Sequence, residues 1–178
     1  MTMKRTKYIT NVLSSAQSKR KLANEMKRQK FRVCGGLAAR DGFAEFAEGS
    51  ILHSNKTFVA KHPKSKEVIG FLTSYDDSFV THLDRKPKPI AKQNEYYLDL
   101  VCSGARGGGR ALTDAFYKTA VKANKDTIRL YAEKNAYDYW SKNGYMECDD
   151  ACDNKRCHRK QYFHDPDAGV RMTKCLFP

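Results

Sequence analysis

Apolar positions along the chain change period several times, and each change marks an element. From Val12 to about Lys30, the residues Val12, Ala16, Ala23 and Met26 stand at loose helical spacing, which predicts a first helix. "LAARDGFAEFAEGS" reads as a second helix or helical turn, ended by Gly49. Two β-rich runs follow, "TFVAKHP" and "EVIGFLTSY", joined by the turn-forming "KHPKSK", and together they predict a hairpin. Pro87 and Pro89 exclude regular structure from "THLDRKPKPIAKQN", which reads as a loop.

The second half is more sharply patterned. "EYYLDLVC" (95–102) puts Tyr96, Leu98, Leu100 and Cys102 on its even positions and Glu95, Tyr97, Asp99 and Val101 on its odd ones. A strand alternates its side chains, so this spacing predicts that Glu95 and Asp99 share a face. After three glycines, Leu112, Ala115, Phe116, Thr119, Ala120 and Ala123 recur at helical spacing to about Asn124. "TIRLYAE" reads as a strand and "AYDYWSKNG" as a short helix closed by Gly144. "YMEC" and "GVRMTKCLF" read as two closing strands. The order predicts a mixed α/β sandwich around a twisted sheet, in one domain spanning 1–178.

Composition narrows the class. With 40% hydrophobic and 11% aromatic residues the chain is globular material. No apolar run reaches the roughly 20 residues of a membrane span. The basic start "MTMKRTKYIT" has no apolar stretch behind it, so no secretory signal is expected. Cysteines 34, 102, 148, 152, 157 and 175 are then expected as thiols in a reducing, cytoplasmic setting. The net charge of +13 is uneven: ten basic residues against Glu25 in 1–32 give +9 of it. The basic helical segment 1–36 suits an anionic partner such as nucleic acid, or is a solvated helix face.

"LVCSGARGGGRAL" holds the candidate chemistry. A strand that turns through glycines into a helix can cradle phosphate: successive N–H groups point outward, no Cβ blocks approach, and the helix N-terminus adds positive potential. Gly107, Gly108, Gly109, Arg110 and Ala111 are the candidate donors, and Arg106 and Arg110 add charge. The segment lacks the Gly-Lys-Ser/Thr of a Walker loop, and Leu112 stands where a dinucleotide fingerprint begun at Gly107 needs its third glycine. A tight structural turn would use the same glycines.

Arg106-Gly107-Gly108-Gly109-Arg110-Ala111 resembles the Q/R-x-x-G-x-G/A motif of the GNAT acetyltransferases. Val101 stands where that family's fourth strand typically ends in valine. Ala136 to Tyr145 is similar to its A-x-x-F-Y-x-x-x-G-F segment, and "GVRMTKCLF" to its closing strand. The resemblance covers about Lys56–Pro178 and implies a GNAT-like acyl-CoA N-acyltransferase fold. It implies acetyl-coenzyme A as cosubstrate, its pyrophosphate on the Arg106–Ala111 amides. The pantetheine arm would lie along the main chain of Leu100, Val101 and Cys102, where the fourth and fifth strands splay apart. Chemistry would be direct attack by an amine, which needs a base for its proton and can use an acid at the leaving thiolate.

The family commonly supplies that acid from a tyrosine at the position of Trp140, whose indole N–H is too weakly acidic. Tyr139 stands beside it as the candidate acid, although solvent or no acid at all would serve a thiolate leaving group. An asparagine often found three residues before Ala136 is Glu133 here, leaving Asn135 as the candidate cofactor contact. Glu95 has the spacing of the base in the protein-lysine branch, and Asp99 is the second base candidate. Cys148, Cys152, Cys157, His158 and His164 lack paired C-x-x-C knuckles, so no metal site is expected. The acceptor is open among a protein lysine, a small amine and an aminoacyl-tRNA. A nucleic-acid-binding or nucleic-acid-modifying protein of the same fold, with DNA or RNA as partner, is the alternative.

Overall fold

A computed structural model of the chain describes residues 7–76, 94–147 and 170–176. In chain order its elements are β1 (Ile9–Leu13), α1 (Ala16–Arg28), a 3-10 segment (Arg32–Ala39), α2 (Phe43–His53), β2 (Lys56–Lys61), β3 (Val68–Asp76), β4 (Glu95–Ser103), α3 (Gly108–Lys122), β5 (Thr127–Ala132), a short 3-10 turn (Lys134–Ala136), α4 (Tyr137–Lys142) and β6 (Val170–Cys175). The strands follow one another in sequence order through a six-stranded sheet. Pairs β1–β2, β2–β3 and β5–β6 are antiparallel and β4–β5 is parallel, so the α/β architecture carries a mixed sheet. Two compact units are distinguished, one of Met1–Ser74 with Asp99–Lys118 and one of Tyr75–Leu98 with Thr119–Pro178.

In the first unit the chain begins differently from expectation. Val12, expected at a helix start, lies in strand β1, which pairs with β2 from Ile9↔Lys61 to Leu13↔Thr57. The helix starts at Ala16 instead, where Ser15 caps it by accepting the Ser18 N–H at 3.1 Å. It buries Leu22, Ala23 and Met26, one stripe at helical spacing. The chain leaves α1 through Lys30 and Phe31, both at φ 50°. That conformation costs on the order of 1–2 kcal/mol per residue. Burial of the Phe31 ring against Phe43 (6.2 Å) and Phe71 (6.5 Å) is of a size to offset it, about 1.5–3 kcal/mol.

Helix α2 runs through Gly49, expected as its end, to His53. Its buried Ala47 and Ile51 join Phe43, Val59, Phe71 and Leu100 in one hydrophobic cluster. On β2 the neighbour of Val59, Phe58, meets Phe116 of α3 at 5.7 Å, as alternation along a strand requires. One expectation is overturned here. Cys34, in the 3-10 segment, and Cys102, in β4, form a disulfide across 68 residues of sequence. Cys175 is disulfide-bonded as well, and no cysteine is free among the described residues. Thiols at these positions were expected because nothing in the sequence marks an oxidising setting; the fold instead brings Cys34 and Cys102 within bonding distance, and the thiol argument for a cytoplasmic setting falls with them.

In the second unit, Glu95–Leu98 pair with Thr127–Leu130 in parallel, and β5 pairs with β6 from Thr127↔Cys175 to Ala132↔Val170. Helix α4 is followed by Gly144 at φ +82°, where glycine alone is unstrained, so the expected stop holds. Of the strand expected at Tyr145–Cys148, the described residues 145–147 show an isolated bridge of Met146 with Thr173. Residues 81–93 of the expected proline loop, and Cys148, Cys152, Cys157, His158 and His164, lie outside the described residues. Among the described residues no group of His, Cys, Asp and Glu could hold a metal ion, and no helix is long and apolar enough to cross a membrane.

Candidate functional site

The loop after β4 gives each of its three glycines a different reason to be glycine. Gly107 sits at φ +83°, a left-handed conformation that L side chains rarely adopt. Gly108 opens α3 in a close approach: a Cβ there would stand 2.5 Å from Ser103 Oγ and 2.8 Å from Ile69 Cδ1. Gly109 has neither constraint, since a Cβ would meet only Ser103 Cβ at an ordinary 3.7 Å. The fold therefore uses the missing side chains of Gly107 and Gly108 and leaves that of Gly109 unused.

Not every amide proposed by the sequence faces outward. The Gly108 N–H bonds the Ala105 carbonyl and the Ala111 N–H bonds the Gly107 carbonyl, each at 3.0 Å. Gly109 and Arg110 fall in the first helical turn, where no intrahelical acceptor exists for their N–H groups. Arg106 and Arg110 are exposed on either side, Arg110 standing 3.9 Å from Asp114. Tyr8, the residue before β1, holds the loop: its hydroxyl donates to the Arg106 carbonyl at 2.9 Å, and its ring lies against Gly107. Two outward amides, two guanidinium groups and one glycine with no internal duty fit a pyrophosphate.

Upstream on β4, the carbonyl of Cys102 packs against Gly70, where a Cβ would come within 2.5 Å of it. The disulfide ties this same residue to the segment before α2, so Leu100–Cys102 is a fixed stretch of strand.

The two carboxylates of β4, expected on one face, have separate fates. Glu95 is buried and ion-paired with Arg129 at 3.0 Å; the Thr127 hydroxyl donates to the same oxygen at 3.4 Å. Asp99 is only partly buried and accepts from the hydroxyl of Ser50 on α2. Burial raises its carboxyl above the ordinary 3.8, and the Ser50 hydrogen bond opposes that shift. Sequence reasoning missed Ser50 and Arg129, because a serine and an arginine carry no mark until tertiary contacts select them.

Within the second unit, Trp140 is buried with its ring edge-on to Tyr139 (5.0 Å) and Tyr145 (5.2 Å), a packing role. Tyr139 is 39% exposed. Tyr137 is a poorer acid than an ordinary phenol, because its hydroxyl is bonded to Glu147 and its deprotonation is opposed. Asn135 is exposed in the short turn before α4. On the basic segment, Lys19 donates to the Ser54 carbonyl and Lys27 pairs with Glu48 at 2.9 Å, both tying α1 to α2. Arg20, Lys21 and Arg28 remain exposed.

No protein-family model and no curated protein matches the sequence. Solved structures do resemble the fold. Tetrahymena GCN5 is similar at 19% identity with a TM-score of 0.57, over 96% of this chain and 97% of that one. Ard1 from Thermoplasma volcanium is similar at 13% identity with a TM-score of 0.55, over 95% and 99%. A GNAT-family acetyltransferase structure from Desulfovibrio desulfuricans is similar at 11% identity with a TM-score of 0.60, over 96% and 100%. Identities this low speak for architecture, and the architecture is consistent across them: this chain has the GNAT acyltransferase fold.

Proposed function

We propose that the chain transfers an acetyl group from acetyl-coenzyme A to an amine. The observation that carries this reading is Gly109: a glycine at a helix N-terminus, flanked by exposed arginines, whose bare backbone the fold itself does not need. Arg106, Gly109 and Arg110 would hold the pyrophosphate, with Gly107, Gly108 and Ala111 shaping the loop. Leu100, Val101 and Cys102 offer main-chain groups to the pantetheine arm, in the manner of an added strand. Asn135, exposed before α4, is a further contact.

When bound, the cosubstrate supplies an acetyl thioester, whose C–S bond is exchanged for a C–N bond while the sulfur departs as thiolate. Asp99 is the base for this exchange: it takes the proton of the attacking amine on its carboxylate. Glu95 is less suited, because taking a proton there would discharge its buried ion pair with Arg129. Tyr139, exposed beside the packed Trp140, is the acid in this reading and would return a proton to the thiolate. The acceptor is an amine presented from solution on a small molecule, a protein lysine or an aminoacyl-tRNA.

Calorimetric titration with acetyl-coenzyme A tests this reading. The parent chain should bind in the micromolar range and a Gly109→Glu variant should not, while both keep the same melting temperature. Absence of binding by the parent would leave the glycines as a turn. A second reading, nucleic-acid binding, draws on the exposed Arg20, Lys21 and Arg28 of α1. Replacing all three by alanine should then flatten the salt dependence of binding to duplex DNA or tRNA and leave acetyl-coenzyme A binding intact.

A further inference from the structure

Asp99 does not stand alone in its part of the first unit. The Ser50 hydroxyl donates to Asp99 Oδ2, and Ser50 Oγ lies 2.6 Å from Thr73 Oγ1 on β3. Ser50 is 3% exposed and Thr73 fully buried, so water does not compete for either hydroxyl. A serine hydroxyl has one hydrogen. Since that hydrogen goes to Asp99, the hydrogen between Ser50 and Thr73 must come from Thr73. The direction is thus fixed as Thr73 to Ser50 to Asp99, each hydroxyl polarising the next.

We infer that Ser50 and Thr73 are positioning residues for Asp99, a two-hydroxyl relay that pins Oδ2 and leaves Oδ1 to receive the acceptor's proton. The inference rests on the acetyl-transfer reading above and adds how its base is set. A carboxylate on a strand can rotate about its terminal bond; one directed donor from α2 removes that freedom and decides which oxygen carries the proton. The relay is neutral, and this distinguishes it from the guanidinium at Glu95. A cation would hold the carboxylate ionised and make it a poor base, whereas a hydroxyl orients it and stabilises the anion only modestly. The charged residues of the elements that carry the relay, Glu45, Glu48 and His53 on α2, Asp76 on β3 and Glu95 on β4, are not among the causes that move Asp99. Those causes are burial and the Ser50 hydroxyl.

The experiment is a 13C titration of the Asp99 side-chain carboxyl by NMR in the full chain, free of ligand, beside the pH profile of acetyl transfer. Ser50→Ala removes the donor, so the Asp99 midpoint should rise by about one pH unit. The acid limb of kcat/KM should rise with it. Thr73→Val keeps shape and removes the hydroxyl that meets Ser50; it should move both in the same direction by less, and Thr73→Ser should restore the parent values. Should Ser50→Ala fold poorly, the Thr73 pair carries the test alone. A carboxyl midpoint unmoved by either substitution, whatever happens to stability, overturns the relay. Failure of the parent to bind acetyl-coenzyme A while the midpoints shift as stated would instead remove the transferase reading.

Discussion

Glu95 and Asp99 lie four residues apart on one strand, and the fold treats them oppositely. Glu95 is sealed with Arg129, both side chains being less than 5% exposed. Asp99 is partly open and meets a hydroxyl. The first arrangement fixes a charge and the second leaves a proton exchangeable. A carboxylate's spacing in sequence therefore says little about its role; the nature of its partner decides it.

The contrast can be broken from either side. The largest effect is expected at Asp99: Asp99→Asn should lower kcat by about a hundred- to ten-thousand-fold, the range for losing a general base. Stability should move the other way. Because folding raises the Asp99 carboxyl above 3.8, its ionisation opposes folding. Its contribution is complete below pH 3.8 and is lost as pH rises through the folded value. Urea midpoints for Asp99→Asn should thus exceed the parent's at pH 7 and converge with it near pH 3.

At Glu95 the expectation reverses. Glu95→Gln breaks the buried ion pair with Arg129 and should cost about 3–5 kcal/mol of unfolding free energy. The acid limb of the pH profile should stay where it was. An acid limb that disappears in Glu95→Gln but persists in Asp99→Asn would exchange the two roles.

Next in size is the disulfide. Replacing Cys34 and Cys102 by serine and alanine should cost about 2–5 kcal/mol, given the length of chain the bond closes. Thermal melts with and without reductant check it, and reductant should not affect the double variant through this bond. The smallest effect is at Tyr8. Tyr8→Phe removes one exposed hydrogen bond to the Arg106 carbonyl and should weaken acetyl-coenzyme A binding roughly three-fold, with unfolding hardly changed.

Much of the architecture was legible because it is written locally. Two β-rich runs with a turn-forming link mark the β2–β3 hairpin, alternation marks β4, a 3.6-residue period marks α3, and Gly144 marks the end of α4. The glycine loop was legible as a loop, but which glycine serves the fold and which faces outward depends on Ser103, Ile69 and Tyr8 packed around it. Strand β1 was hidden because an edge strand with only Thr10 and Leu13 partly covered lacks a clean alternation; its β-branched Ile9, Thr10 and Val12 were the available signal. Long-range partnerships were not legible. The Cys34–Cys102 bond spans 68 residues, and Arg129 meets Glu95 only once β4 and β5 take their register. Ser50, read as the residue after a helix stop, became a partner of Asp99 when α2 ran past Gly49.

The most direct test of the account follows the backbone amides of the loop. In 1H–15N spectra, stepwise addition of coenzyme A should shift the Gly109 and Arg110 amides downfield most strongly, as N–H groups newly bonded to phosphate do, with Gly108 and Ala111 moving less because their bonds are already made. Largest shifts elsewhere, with Gly109 and Arg110 unmoved at saturation, would contradict the claim that this helix N-terminus holds the cosubstrate.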